Sequence, residues 1–141
     1  MKESEKILTK PRNMKKYVDF LKSFKDIPKE KLNDDYMLRS AIERNFQLAL
    51  ESVLDIGEII ISVKDLEKPE DYKEVIEVLG KANILPKEFA KNFAPAAGFR
   101  NILVHKYTDV DIDELYEHIR HDLKDFDFFA ECIAKFVETL D

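Results

Sequence analysis

The chain has 141 residues, of which 45% are hydrophobic and 37% are charged, with only three glycines and five prolines. This length fits one domain with a real core, and the composition excludes a disordered chain and favours helices. The formal net charge of −6 argues against a nucleic-acid-binding protein that is basic overall.

Targeting signals and disulfides are not expected. No apolar stretch approaches the length of a membrane span, and the polar start of the chain does not resemble a secretory signal. The single cysteine, Cys132, cannot form an intramolecular disulfide, and its surroundings predict a small core residue. We therefore expect a cytoplasmic protein without membrane association.

The first half of the chain shows two helical patterns. An N-terminal helix is predicted with Pro11 in its first turn, and Pro28 begins the next element. A long helix is predicted from about Asp34 to Val63, and Gly57 within it allows close approach of another backbone. The apolar residues of the two helices recur at three- or four-residue steps: Met14, Tyr17, Leu21 and Phe24, then Leu38, Ile42, Phe46, Ala49, Val53, Ile56, Ile60 and Val63.

Shorter helices and a second long stripe follow. One helix is predicted from about Pro69 to Gly80, with Tyr72 on its inward face. Another follows Pro86, is interrupted or kinked at Pro95, and leads to residues 98–107. The last stripe starts after an N-cap at Asp111 or Asp113. Its apolar residues are Leu115, Ile119, Leu123, Phe126, Ala130, Ile133, Val137 and Leu140.

No strand pattern or internal repeat is evident along the chain. The sequence therefore predicts an all-α antiparallel helical bundle of about five to six helices, forming a single domain over residues 1–141. Six apolar residues of the two long stripes are expected to be buried: Leu38, Ile42, Val53, Ile60, Leu123 and Ile133.

Charge is unevenly distributed. Residues 1–31 hold 10 Lys/Arg and 5 Asp/Glu, residues 81–107 hold 5 Lys/Arg and one acid, and residues 109–141 hold 3 basic and 11 acidic residues. If the two basic segments meet in space, they form a local anion-attracting surface on an acidic protein. The alternative is that these charges lie on ordinary solvated helix faces.

The segment from Gly98 to Tyr107 carries the candidate chemistry. Arg100 can hold a phosphate by two parallel hydrogen bonds, His105 suits proton transfer near neutrality, and Tyr107 adds a hydroxyl. In an unbroken helix Arg100 and His105 point about 140° apart, so they converge only if the helix unwinds or a second subunit contributes one of them. Spacing alone favours a simpler interpretation, a surface ion pair at Arg100 and a helix-end histidine at His105.

Other polar residues have weaker functional interpretations. Arg44, Gln47, Glu51, Asp55 and Glu58 form a polar stripe on the long helix, and Glu51 or Asp55 is a candidate to support Arg100 or His105. His118 and His121 have a spacing that permits shared metal ligation, but without a third ligand we expect solvent-exposed histidines and no metal site. No glycine-rich phosphate loop is present.

The motif and its context resemble the HEPN superfamily, and most closely the HepT-type toxins of HEPN/MNT toxin–antitoxin systems. The resemblance covers most of the chain. It rests on Gly98 through Asn101, Leu103 through Tyr107, Arg44 through Gln47 with Glu51 and Asp55 through Gly57, and Ile84-Leu85-Pro86. Relatives often have an Asn-His pair in place of Glu58-Ile59 and an acidic residue in place of Lys106.

This resemblance implies a homodimeric, metal-independent ribonuclease without a cofactor. Arg100 and His105 of both subunits would face one cleft, with Arg100 stabilising the phosphorane, His105 moving a proton and Asn101 helping to hold the phosphate. The implied partner is an MNT-type nucleotidyltransferase antitoxin that adds AMP to Tyr107. The competing hypothesis is a non-catalytic binding or regulatory module associated with a nucleotidyltransferase, which the acidic net charge favours.

Overall fold

The computed structural model of the protein describes residues 3–8, 11–105 and 110–140. These residues form helices and no strand, which confirms the predicted all-α bundle, although the helices outnumber the five or six expected. The helices are α1 (Glu3–Leu8), α2 (Pro11–Lys22), α3 (Lys29–Asp34), α4 (Tyr36–Val63), α5 (Tyr72–Lys81), α6 (Lys87–His105), α7 (Ile112–His121) and α8 (Leu123–Val137).

The long helix α4 forms the centre of the bundle. Its N-cap is Asp35, whose side chain accepts a hydrogen bond from the backbone N–H of Leu38 at 3.0 Å. The predicted apolar stripe is buried along most of its length, including Ile42, Val53 and Ile60. Leu38 is only half-buried, because it lies in the first turn at the end of the bundle, so its predicted full burial is wrong.

Helix α6 continues through Pro95 as one element, so the predicted interruption is wrong. Proline removes a backbone donor and leaves the carbonyl four residues earlier, that of Lys91, without its helical partner. Both Pro95 and Lys91 are exposed, so water can satisfy that carbonyl without a break in the helix. The residues from Lys87 to His105 therefore lie on one continuous helix.

The last apolar stripe is divided between two helices. Asp111 is the N-cap of α7, where its side chain accepts hydrogen bonds from the backbone N–H groups of Asp113 and Glu114. Asp122 separates α7 from α8 with φ −100° and ψ −10°. Because only one residue is interposed, the three- or four-residue spacing of the apolar side chains is preserved across the break.

Two glycines allow α5 to pack closely against its neighbours. A Cβ at Gly57 would lie 2.6 Å from Cγ1 of Val75, and a Cβ at Gly80 would lie 2.6 Å from Cβ of Ala90. At Gly57 the groups that approach closely are side chains of α5, those of Val75 and Leu79, whereas the sequence predicted another backbone. Buried apolar side chains from all eight described helices form one cluster.

None of the helices in the described ranges is both long and apolar enough to cross a membrane. Cys132 is half-buried beside Phe128 and Phe136 in an apolar groove, and burial raises the pKa of its thiol above the ordinary value.

Candidate active site

Arg100 is held by an acidic side chain of the central helix. It projects from α6 toward α4, where Nε donates a hydrogen bond to Oε1 of Glu51 at 3.2 Å and Nη2 donates to the same oxygen at 3.1 Å. The side chains are 18% and 30% exposed, so the ion pair lies at the edge of the core rather than in open solvent. Glu51, a supporting residue predicted from the sequence, is therefore the partner of Arg100.

Two polar neighbours complete the hydrogen bonds around this pair. Gln47 donates from Nε2 to Oε1 of Glu51 at 3.1 Å, which fixes the carboxylate from the preceding turn of α4. Asn101 accepts from Nη1 of Arg100 at 3.3 Å. Gln47 thus restrains the Glu51 carboxylate from within α4. The guanidinium of Arg100 is restrained by Glu51 on one edge and by Asn101 on another.

Tyr72, in the first turn of α5, packs its ring against the same guanidinium. The Cζ atom of Arg100 lies 4.7 Å from the centroid of the Tyr72 ring, which is a cation–π distance. The sequence had indicated Tyr72 only as an inward-facing apolar residue, and its role beside Arg100 was missed. The sequence offered one indication of this role: Tyr72 is amphipathic and directly follows Asp71, the N-cap of α5.

The arrangement leaves Arg100 able to bind an anion. A guanidinium carries five N–H groups, and three of them donate in the hydrogen bonds among the described residues. The two others remain for a phosphate oxygen, while Glu51 and Tyr72 prevent the side chain from moving away. Such a preorganised donor is what stabilisation of a developing negative charge requires.

His105 does not meet Arg100 within the chain. It is the last residue of α6 and is exposed. Because α6 is helical from Arg100 through His105, the two side chains project about 140° apart with an axial offset of about 7.5 Å. The alternative in which the helix unwinds between them is therefore wrong.

Two further predicted site residues lie away from these contacts. Asp55 is exposed one turn beyond Glu51, where it lines a shallow cavity with Lys6 and Glu58 and makes no hydrogen bond or ion pair with Arg100 in the described part of the chain. Tyr107, together with Lys106, falls outside the described residues.

His118 is packed against the motif helix rather than exposed, so the predicted exposure is wrong for this residue. Its ring stacks on Phe99 of α6 with centroids 4.2 Å apart. Its Nδ1 contacts the carboxylate of Asp122, and its Nε2 lies 3.7 Å from Glu114. His118 therefore joins α7 to Phe99, the residue that precedes Arg100. The spacing of the two histidines on α7 did not indicate this packing role.

The other histidine of α7 is exposed as predicted. His121 lies 3.1 Å from Glu117, one turn earlier on the same helix. Within residues 3–8, 11–105 and 110–140, no group of three or more His, Cys, Asp or Glu side chains is arranged to hold a metal ion.

The fold and the site define an all-helical protein that presents an arginine and a histidine on one long helix. The family description "Ribonuclease HepT-like" matches residues 14–133 of this chain. The chain belongs to this HepT-like family.

Named relatives agree with this assignment, and a solved structure shares the fold. The tRNA nuclease HepT of Aphanizomenon flos-aquae is 32% identical over 127 residues, which cover 89% of this chain and 86% of the relative. The mRNA nuclease HepT of Shewanella oneidensis is 27% identical over 99 residues, covering 70% and 74%. A structure of the tri-AMPylated Shewanella oneidensis HEPN toxin in complex with MNT antitoxin has a TM-score of 0.81 at 23% identity, covering 92% of this chain and 96% of the other.

Proposed function

We propose that this protein is the toxin of a toxin–antitoxin pair and acts as a metal-independent endoribonuclease, with Arg100 and His105 as catalytic residues. The observation that carries the proposal is the half-buried Arg100, held between Glu51 and Tyr72 with two N–H groups left for a phosphate. The family membership and the names of two relatives as tRNA and mRNA nucleases support RNA as the substrate. We also propose that residues 1–141 act as a single domain, because all eight helices contribute to one core.

The chemistry follows from the residue types. His105 removes the proton from a ribose 2'-hydroxyl, whose oxygen then attacks the adjacent phosphorus, or it protonates the 5'-oxygen that leaves as the P–O bond breaks. Arg100 stabilises the additional negative charge of the phosphorane, and Asn101 helps to hold the phosphate. Glu51 positions Arg100. A supporting role for Asp55 stays a prediction, since its side chain lies one turn away from the Arg100 contacts.

Convergence of Arg100 and His105 requires two copies of α6, so we propose a homodimer in which the motif helices face each other. The angle of about 140° on one continuous helix supports this arrangement, because a two-fold axis can bring His105 of one subunit toward Arg100 of the other. Ile102 projects within about 60° of His105 on the same helix and is one of the large apolar side chains that are exposed, at 36%. Its exposed surface supports a contact between subunits at this position.

Two substitutions test the catalytic assignment. Arg100→Ala and His105→Ala are each expected to abolish RNA cleavage and growth inhibition, because both groups act on the charge and protons of the transition state. Helicity and the melting temperature should change little, since neither residue is part of the apolar cluster. Arg44→Ala and His121→Ala are matched controls on exposed positions and should retain activity.

The alternative, a non-catalytic module associated with a nucleotidyltransferase, makes a different prediction. In that case purified protein leaves labelled RNA intact, and the Arg100 and His105 variants do not differ from the wild type. A variant that unfolds instead assigns the residue a structural role.

We propose that an MNT-type nucleotidyltransferase antitoxin neutralises this protein by adding AMP to Tyr107. The support is the resemblance of the motif, together with the tri-AMPylated state of the Shewanella oneidensis HEPN toxin in its complex with MNT antitoxin. A phosphate-bearing group close to Arg100 and His105 would occupy the cleft and repel RNA.

Mass spectrometry tests the modification. Co-expression with the cognate nucleotidyltransferase should add one or more AMP groups to the wild type, and Tyr107→Phe should remove the modification at that position and keep cells growth-inhibited. AMP found only on other residues contradicts Tyr107 as the acceptor. Neutralisation without any AMP shows that the partner acts by binding alone.

A further inference from the structure

The facing surfaces of α5 and α6 carry lysines that no other feature of the site uses. A trough between the two helices is lined by Lys81, Lys87 and Lys91, with Glu77 as its one acidic side chain. Gly80 and Ala90 form its floor, where the helices approach so closely that a Cβ at Gly80 would lie 2.6 Å from Cβ of Ala90. The three lysines, which come from two helices, thus line one trough.

The trough lies on the same helix pair as Arg100. Tyr72, at the start of α5, packs on Arg100 near the end of α6, whereas Gly80, near the end of α5, meets Ala90 near the start of α6. The helices therefore run in opposite directions. Lys91 and Arg100, nine residues apart, project from opposite sides of α6, whereas His105 projects within about 40° of Lys91, so the trough follows the face of α6 that leads to His105. Lys73 lies along the way, since a Cβ at Gly98 would be 3.6 Å from its Cγ and Cδ.

The lysines of the trough form no ion pair with a carboxylate among the described residues. Among ion pairs of the described residues, none includes Lys73, Lys81, Lys87 or Lys91, and all four side chains are exposed. The basic N-terminal segment is different, because several of its lysines are neutralised by pairing with acids. These pairs are Lys15 with Asp19, Lys22 with Asp127, Lys29 with Asp113 and Lys31 with Asp35.

We infer that the trough between α5 and α6 binds the phosphate backbone of the RNA substrate, with Lys81, Lys87 and Lys91 contacting phosphates several nucleotides away from the scissile bond beside His105. This inference rests on the proposed ribonuclease function. From Lys91 to His105, fourteen residues of helix span about 21 Å, which is the axial length of about six stacked nucleotides. The lysines recognise phosphates without reading base sequence.

This surface also reconciles an acidic protein with an RNA substrate. The net charge of −6 would repel RNA at long range, but the trough carries three lysines against one glutamate and lies on the face of α6 that carries His105. The two basic segments of the sequence, residues 1–31 and 81–107, do not need to meet in space to form this RNA-binding surface. Lys22 and Lys25 of the first segment instead line a cleft with Arg120 and Lys124.

Salt-dependent RNA binding tests the inference. The probe is a 2'-O-methyl form of a single-stranded RNA that the wild type cleaves, because it lacks the attacking hydroxyl and stays intact. The triple variant Lys81→Gln, Lys87→Gln, Lys91→Gln should bind it about 10- to 100-fold more weakly at about 0.1 M salt, with the slope of log K against log salt reduced by about 2. With unmodified RNA, KM should rise by the same factor while kcat is unchanged.

The matched control changes the charge equally at another place. The control variant carries Lys16→Gln, Lys25→Gln and Lys124→Gln, which neutralise three exposed lysines in α2, in the turn after it and in α8. Its affinity for RNA should stay close to that of the wild type. An equal loss in this control overturns the inference, because the binding is then a diffuse effect of net charge.

Other outcomes separate the inference from the function on which it rests. A wild type that cleaves RNA, with an unchanged affinity and salt slope in the trough variant, overturns the trough and leaves the ribonuclease in place. A trough variant that loses only binding of the antitoxin also overturns the inference, since the lysines then form a protein contact. A wild type that neither binds nor cleaves RNA refutes the ribonuclease and the trough together.

Discussion

Arg100 is neutralised at rest and still equipped to bind a phosphate. One oxygen of Glu51 accepts hydrogen bonds from Arg100 and from Gln47, so the carboxylate is itself restrained and cannot follow the arginine away from α4. The ring of Tyr72 covers one face of the guanidinium. The orientation of the side chain is thereby fixed before substrate arrives, which lowers the entropy cost of binding in the transition state.

We expect Tyr72 to position Arg100, so truncation of the Tyr72 side chain should reduce RNA cleavage. Tyr72→Ala removes the cation–π contact and should reduce kcat/KM for RNA cleavage by about 2- to 30-fold, the range that such contacts span between exposed and desolvated sites. Tyr72→Phe keeps the aromatic face and should restore most of the activity. Cleavage kinetics and the melting temperature of each variant provide the measurement.

The control for Tyr72 is a second tyrosine that lies beside an arginine. Tyr116 of α7 packs against Arg120 with 5.4 Å between Cζ and the ring centroid, and neither residue contacts Arg100. Tyr116→Ala should therefore leave kcat/KM unchanged. A Tyr72→Phe variant as impaired as Tyr72→Ala would contradict the stacking role and assign the function to the hydroxyl group.

The positions of the helices could be predicted where an apolar stripe was long or a cap was explicit. The stripe from Ile42 to Ile60 predicted α4, and Asp111 as an N-cap predicted the start of α7. Helix α1 has six residues, too few for a period of 3.6 to be evident. The break between α7 and α8 at Asp122 could not be predicted, because the apolar residues keep their three- or four-residue spacing across it.

The contacts of the site could be predicted only in part. Glu51 was a candidate because it shares a face of α4 with Gln47, and that face is a property of one helix alone. The contact between Tyr72 and Arg100 depends on how α5 and α6 are rotated and aligned relative to each other. That arrangement is decided by packing between Gly80 and Ala90, which no local sequence pattern specifies.

Helix pairing at Gly80 gives a test of this packing. Gly80→Ala places a Cβ 2.6 Å from Cβ of Ala90, and both atoms are fixed to helical backbones, so the helices must separate. The overpacking should lower the free energy of unfolding by about 1–3 kcal/mol, less the gain of up to about 1 kcal/mol in helix propensity. Denaturant unfolding monitored by circular dichroism measures the change.

Gly98→Ala is the matched substitution on the same helix pair. A Cβ there would lie 3.6 Å from the side chain of Lys73, an ordinary van der Waals distance, so only the propensity gain remains. We expect this variant to be more stable than the wild type by about 0.5–1 kcal/mol. Equal destabilisation by the two substitutions would show that the close approach at Gly80 does not determine the packing.

At the scale of the whole molecule, the proposed active centre is incomplete in one chain. Arg100 points toward Glu51 and Tyr72, and His105 projects from the end of the same helix in another direction. Each chain therefore presents Arg100 on one face and His105 on another, and each of these residues is half of an active site. A two-fold dimer would combine these halves into two equivalent composite sites, with Arg100 from one subunit and His105 from the other.

Complementation between two inactive variants tests this arrangement directly. Arg100→Ala and His105→Ala subunits carrying different affinity tags are co-expressed, and heterodimers that hold both tags are purified. Each heterodimer has one composite site with both residues intact and one with neither, so we expect RNA cleavage at about half the wild-type rate per dimer. Homodimers of either variant, purified in parallel, should be inactive. Heterodimers that form but cleave no RNA would contradict a site shared between subunits, and failure to recover any doubly tagged species would contradict the dimer itself.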